Sequence, residues 1–230
     1  MGADGLKRSP DFHPNRSRGR TVRGAIVLAG GPSRRLGRPK AFVEIGGVPL
    51  VVHVVHAALE VADEIVIVSR GDLAARIERA LPAMSVARDQ RRLQSPLVGL
   101  VVGASALRSE YVVALACDVP FVRPTLLRRL FSAARRREAA IPRWSDGRIE
   151  PLVAVYARRP LLQAARAALR AGERSNQSMI DHLDDIRYVD VSHLRPADPR
   201  LVSFVNLNTP ADIRRARRMV TQLARGPRTR

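Results

Sequence analysis

LAGGPSRRLGRPK, residues 28–40, decides how the rest of the chain is read. It follows the apolar run Ala25-Ile26-Val27, so Gly24 to Leu28 is predicted as a buried strand that opens into a loop rich in glycine and cations. In a parallel sheet, ligands bind beyond the carboxyl ends of the strands. Gly30 and Gly31 let the backbone turn tightly and bring N–H groups close to a ligand, and Ser33 adds a hydroxyl donor. Arg34, Arg35 and Lys40 supply charge for phosphate oxygens, arginine as a planar fork and lysine as a point charge. Neither GxxxxGK[ST] nor GxGxxG is present, so this is a third kind of nucleotide loop.

Working outward, strands are predicted at 64–69 (EIVIVS), 84–87 and 111–116 (YVVALA), alternating with helices at 49–62, 72–81 (Asp72 as its N-cap), 96–107 and 124–137. This alternation predicts an α/β fold, with a mostly parallel sheet covered by helices on both faces. The second half adds strands at 139–142, 149–156, 186–191 and 201–205. Its helices are predicted at 159–171, 175–183 and 209–224, the last with Thr209 as cap and Pro210 in first position. Residues 24–224 form one predicted domain, flanked by basic tails at 1–23 and 225–230 that are expected to be disordered.

The formal charge of +19 is carried almost entirely by arginine, since Lys7 and Lys40 are the only lysines. It suits an anionic partner, although a GC-rich genome or a hot habitat also produces such a bias. The arginines are spread over many helices and stacking aromatics are scarce, so nucleic acid is not the expected partner. Cys117 is the only cysteine, which excludes an intrachain disulfide and points to a reducing cytoplasm. No apolar run reaches membrane-spanning length, and no membrane partner is expected.

The stretch LAGGPSRRLGRPKAFVEIGGVPLVVHVV resembles the signature LAGGxSxRMGxxK of nucleotidyltransferases, with Leu36 in place of the usual Met. With RDQRRLQSPLVGL, LACDVPFV, IEPLVAVY, LRAGERS and FVNLNTPADI in the same order, the chain resembles the molybdenum cofactor guanylyltransferases of the MobA-like NTP transferase family over nearly all of residues 24–224. The resemblance implies a three-layer Rossmann-like nucleotidyltransferase fold. It also implies transfer of GMP from GTP to the phosphate of molybdenum-molybdopterin, with release of pyrophosphate. Related cytidylyltransferases, and guanylyltransferases for adenosylcobinamide phosphate or phospholactate, have similar loops.

Nucleotidyl transfer needs a divalent cation, and Asp118, at the end of the 111–116 strand in CDVPF, matches the family's Mg²⁺ ligand. Leu28, Ala29, Gly30, Gly31, Ser33, Arg35, Lys40, Asp89 and Asp118 are assigned to the nucleotide, with Arg35, Lys40 and Asp118 as the catalytic group. Asp89 matches the family's guanine reader, and a carboxylate accepts both the N1 and N2 protons of guanine. Read by residues alone, RDQRR is equally a solvated turn, and Arg91 and Arg92 are alternative phosphate holders. Glu150, Arg174, Asn206 and Asn208 fall in family segments bordering the acceptor; Ser175 reads equally as a helix cap. Cys117 is expected as packing rather than as a nucleophile, and His53 and His56 as ordinary helix positions. Molybdoenzymes or other cofactor-biosynthesis proteins are the expected protein partners.

Overall fold

The computed structural model describes residues 21–30, 37–90 and 95–224. Of the tails expected at 1–23 and 225–230, residues 1–20 and 225–230 lie outside these residues. Arg23 belongs to the sheet rather than to a tail: its N–H donates to Asp63 Oδ2 at 2.9 Å and it opens the first strand.

The strands are β1 (Arg23–Leu28), β2 (Glu44–Ile45), β3 (Val48–Pro49), β4 (Glu64–Ser69), β5 (Ser85–Arg88), β6 (Tyr111–Ala116), β7 (Ala139–Arg143), β8 (Val153–Ala157) and β9 (Ile186–Asp190). The helices are α1 (Leu50–Leu59), α2 (Gly71–Ala80), α3 (Pro96–Ala106), α4 (Pro124–Ala133), α5 (Arg158–Arg170), α6 (Asn176–Ile180) and α7 (Pro210–Ala224). Seven strands form one sheet in the order β5-β4-β1-β6-β8-β7-β9. Only β8 runs against the others, pairing antiparallel with both β6 and β7. The expected α/β, mostly parallel architecture is therefore what the chain adopts.

Side-chain alternation along the strands divides the core into two layers. Ala25, Val27, Val113 and Leu115 pack on α1 and α4 through Val54, Val55, Leu126 and Leu130. Ile26, Val112 and Ala114 pack on α3 and α5 through Leu97, Leu100, Leu161 and Ala165. Strands buried on both faces carry continuous apolar runs rather than alternating ones, which is why AIVL and YVVALA read so clearly. On α3, Gly103 lets the helix sit against the sheet: a Cβ there would lie 2.5 Å from Ile26 Cγ2.

A small hairpin, β2–β3, was not expected. Gly46 and Gly47 form its turn with φ of 60° and 77°, the left-handed geometry that two-residue hairpin turns require. Its Ile45 packs with Val43, Leu50, Leu207, Ile213 and Ala216, so the closing helix α7 is pinned beside the segment that carries Lys40.

Further sequence expectations are corrected: the strand expected at 149–156 begins only at Val153, and the helix expected at 175–183 covers Asn176–Ile180. Asp72 does not cap α2; Arg70 occupies the cap position, without a side-chain bond, and Asp72 lies in the first turn, where its charge favours the helix dipole. The helix expected at 124–137 ends at Ala133, and Arg136 is left-handed at φ 61°. Residues 201–205 are not a strand but a 3-10 turn over Val202–Phe204. There the Ser203 N–H is taken by the Asp198 carboxylate at 2.7 Å, and Leu201 is left-handed at φ 52°, so the backbone is committed to a local turn.

Candidate active site

The sheet changes winding direction between β1 and β6. From β1 the chain goes outward to β4 and β5, then returns through α3 to β6 on the other side of β1. Loops leaving the two neighbouring strand ends diverge there and leave a crevice. Leu28 and Ala116 are partners in the parallel register, and the Cys117 N–H donates to the Leu28 carbonyl at 3.0 Å. The residues that follow each strand, Ala29-Gly30 and Cys117-Asp118, therefore face one pocket of about 330 Å³.

Lys40 enters this pocket from the first position of a short 3-10 turn, Lys40–Phe42, whose Ala41 is buried. Its ammonium donates to Asp118 Oδ2 at 2.9 Å and to Asn208 Oδ1 at 2.8 Å. The segments carrying these acceptors are themselves joined, since the Leu207 N–H donates to the Asp118 carbonyl at 2.9 Å. Three residues distant in sequence thus form one polar cluster. Asp118 Oδ1 is buried and has no hydrogen-bond partner among the described residues. A half-satisfied carboxylate in a crevice is costly unless something else engages it, and a divalent cation beside a phosphate fits that need.

Asp89 lines the same pocket at the other end, just past β5, with 7% of its surface exposed. Its N–H donates to the Ser69 carbonyl at 2.8 Å, and its carboxylate lies 3.7 Å from Arg70 Nε. An adjoining cleft of about 580 Å³ runs past Gly30, Arg70, Leu73, Arg88 and Gln90. The pocket thus has a cation beside a carboxylate at each end, Lys40 with Asp118 and Arg70 with Asp89, and adjoins the second cleft near Asp89.

The residues expected on the acceptor side are only partly gathered. Asn208 joins the cluster. Asn206 is exposed on the same segment, with the fully buried Leu207 between them. Glu150 and Arg174 are not among the pocket's described walls. Glu150 accepts from Trp144 Nε1 at 2.7 Å, and burial pushes its carboxyl above the usual range. Arg174 is exposed, while its backbone carbonyl accepts from Ser95 Oγ at 2.8 Å. Ser175 does cap α6, accepting from the Ser178 N–H at 3.0 Å. Gly31, Ser33, Arg34, Arg35, Arg91 and Arg92 lie outside the described residues.

Cys117 is buried, and desolvation, reinforced by Asp118, pushes its thiol up to about 12. It is a protonated packing group and not a nucleophile. His53 Nε2 lies 3.1 Å from the Ile45 carbonyl and anchors the hairpin, and His56 is exposed. Among the described residues, no three His, Cys, Asp or Glu side chains gather into a metal cluster. No helix among them is long and apolar enough to cross a membrane.

Several wall residues were not expected from the sequence, Arg70 and Ser95 among them, although both sit at local signals. Arg70 directly follows β4, at the same kind of strand end as Asp118. Ser95 caps α3, accepting from the Leu97 N–H at 3.1 Å, and is marked by the Ser-Pro pair that opens the helix.

The model of the MobA-like NTP transferase domain matches residues 25–186, which span β1 to the start of β9 and contain Lys40, Asp89 and Asp118. The chain belongs to this family of nucleotidyltransferases. A probable molybdenum cofactor guanylyltransferase from Methanosarcina acetivorans is 35% identical over 214 residues, covering 88% of this chain and 92% of the relative. A crystal structure of molybdopterin-guanine dinucleotide biosynthesis protein A from Archaeoglobus fulgidus superposes with a TM-score of 0.76 at 27% identity, covering 86% of this chain and 99% of that one. The Mycobacterium tuberculosis protein Rv0371c, solved in complex with manganese, shares the fold at 19% identity, with a TM-score of 0.60 over 86% and 99% of the two chains.

Proposed function

We propose that this enzyme transfers GMP from GTP to the phosphate of molybdenum-molybdopterin, forming molybdopterin guanine dinucleotide and pyrophosphate. The observation that carries this reading is the Lys40–Asp118–Asn208 cluster at the switch point of a family member whose relatives are named for this reaction. Residues 24–224 act as one catalytic unit, and the lone buried thiol suits a cytoplasmic setting.

An oxygen of the acceptor phosphate attacks the α-phosphorus, and the bond from that phosphorus to the bridging oxygen of pyrophosphate breaks. The attacking phosphate is already ionised at neutral pH, so no general base is needed. The task left to the protein is alignment and charge neutralisation. Lys40 and Arg35 neutralise phosphate oxygens, and the glycines of the 28–40 loop offer N–H groups to the triphosphate. Asp118 Oδ1 would hold Mg²⁺, which when bound supplies charge screening at the α-phosphate and the leaving pyrophosphate. Asp89 accepts the N1 and N2 protons of guanine, which sets GTP above CTP, and Arg70 orients that carboxylate. Asn206 and Asn208 border the acceptor, with Glu150 and Arg174 farther out. The molybdoenzyme that receives the product is the expected protein partner.

The test is incubation with Mg²⁺–GTP and molybdenum-molybdopterin. One pyrophosphate per dinucleotide, identified by mass, is expected. Product formed from CTP in preference to GTP would overturn the nucleotide assignment. Transfer to adenosylcobinamide phosphate or phospholactate instead would overturn the acceptor.

A further inference from the structure

Asp198 has no part in the catalytic cluster, yet it is one of the most unusual residues in the chain. Its side chain is 0% exposed. Oδ2 accepts the Ser203 N–H at 2.7 Å, and Oδ1 faces Arg123 Nε at 3.4 Å without making a hydrogen bond. Ser203, also 0% exposed, accepts the Arg123 N–H on its hydroxyl at 3.0 Å. Thr125 Oγ1 adds a bond to the Ala197 carbonyl at 2.7 Å. Burying a carboxylate is expensive, and where only stability is at stake an apolar side chain usually serves as well or better. A buried charge retained at such a cost suggests that a particular geometry is being fixed.

The network's position in the chain indicates which geometry. Arg123 comes five residues after Asp118, and Ser203 five residues before Asn208. The two segments meet again where the Leu207 N–H reaches the Asp118 carbonyl at 2.9 Å, and a third time through Lys40, bonded to both Asp118 and Asn208. Asp118, Arg123, Asp198, Ser203, Asn208 and Lys40 therefore close a ring in which covalent chain alternates with polar contacts. The left-handed Leu201, at φ 52°, bends the chain so that Asp198 and Ser203 can face each other.

We propose that Asp198 is a positioning residue: through Ser203 and Arg123 it fixes where Asn208 stands relative to Asp118, and so where Lys40 places its ammonium. The catalytic consequence rests on the reading of that cluster as the transfer site; the positional one does not. Because the reaction depends on alignment, a small displacement of Asn208 lowers turnover more than nucleotide affinity.

The experiment uses the full chain labelled with carbon-13 at lysine Cε. Lys7→Arg identifies the Lys40 signal, the only other lysine in the sequence. Asp198→Asn is expected to shift the Lys40 resonance in the same sense as Asn208→Ala and to add little in the double variant, because both act through one contact. In the transfer assay Asp198→Asn should lower kcat about tenfold, with KM for GTP within about twofold. An unmoved Lys40 signal in a folded Asp198→Asn protein would overturn the proposal, as would an undiminished effect of Asp198→Asn in the Asn208→Ala background. If Asp198→Asn fails to fold, Ser203→Ala takes its place with the same two outcomes, since it removes only the acceptor of the Arg123 N–H. Should wild-type protein transfer nothing from GTP, the functional reading fails while the Lys40 signal still decides the positional one.

Discussion

The two oxygens of Asp118 stand in different surroundings, and its proposed chemistry depends on that division. One holds the Lys40 ammonium; the other is buried without a partner among the described residues. Asp118→Asn keeps the shape and removes the charge, so transfer should fall by at least about 10²-fold while the thermal midpoint changes little. Near-normal turnover would remove Asp118 from the reaction. Lys40→Ala should weaken Mg²⁺–GTP far more than guanosine in a titration, because guanosine has no phosphate for the ammonium to meet; equal weakening would make Lys40 a structural residue. The neighbouring Cys117 gives a prediction in pH. Its thiol ionises near 9.0 when unfolded and about 12 when folded, so between those values the unfolded chain holds fewer protons than the native one. Stability is fully present below pH 9 and falls as pH rises toward 12, by up to about 1.4 kcal/mol per pH unit from this group. Urea unfolding at pH 8 and pH 10 should show this loss in the wild type and a smaller one in Cys117→Ala.

Helix α7 begins with a reciprocal cap that also serves the site. The Thr209 hydroxyl accepts the Asp212 N–H at 3.2 Å, while Asp212 Oδ2 accepts the N–H groups of Thr209 at 2.8 Å and Asn208 at 3.0 Å. Asp212→Ala should cost about 1 kcal/mol by urea unfolding. It should also lower turnover, since the backbone of Asn208 loses its anchor; unchanged turnover with lowered stability would separate cap from site. The Thr-Pro-Ala-Asp start of this helix was legible in the sequence, as were β4 and β6 to the residue, because apolar runs and caps are local signals. Elements decided by contacts across the chain were harder to see. LVSFV has the composition of a strand, but Asp198 captures the backbone and makes it a turn. The Gly46-Gly47 hairpin has a turn signal between Ile45 and Val48, but its strands of two residues each are too short to show a pattern. Lys40 and Asp118 could be named from strand-end loops, whereas the bond from Lys40 to Asn208 spans 168 positions and no spacing rule reaches it.

Across the whole molecule, the carboxyl ends of β1, β4, β5 and β6 bring Lys40, Asp118, Arg70 and Asp89 to one pocket, on a chain of net charge +19. A general field of that size attracts any polyanion, so binding of phosphate alone says little about function. Under the proposed function, discrimination has to come from the far end of the pocket, where Arg70 lies 3.7 Å from the Asp89 carboxylate assigned to guanine. Thermal stabilisation by each nucleoside triphosphate, with and without Mg²⁺, separates the two contributions. A ligand at 100 times its dissociation constant stabilises the native state by about 2.7 kcal/mol, enough to raise the melting temperature of a chain this size by several degrees. Mg²⁺–GTP should give that rise, CTP and UTP much less, and removal of Mg²⁺ should shrink it. Asp89→Asn should level the nucleotides without abolishing the phosphate contribution. Salt provides the remaining control, because counterion-driven binding collapses between 50 and 200 mM while a site built from base and metal contacts retains most of its affinity. Equal, salt-sensitive stabilisation by all four nucleotides would assign the rise to the arginine field and leave Asp89 without its guanine role.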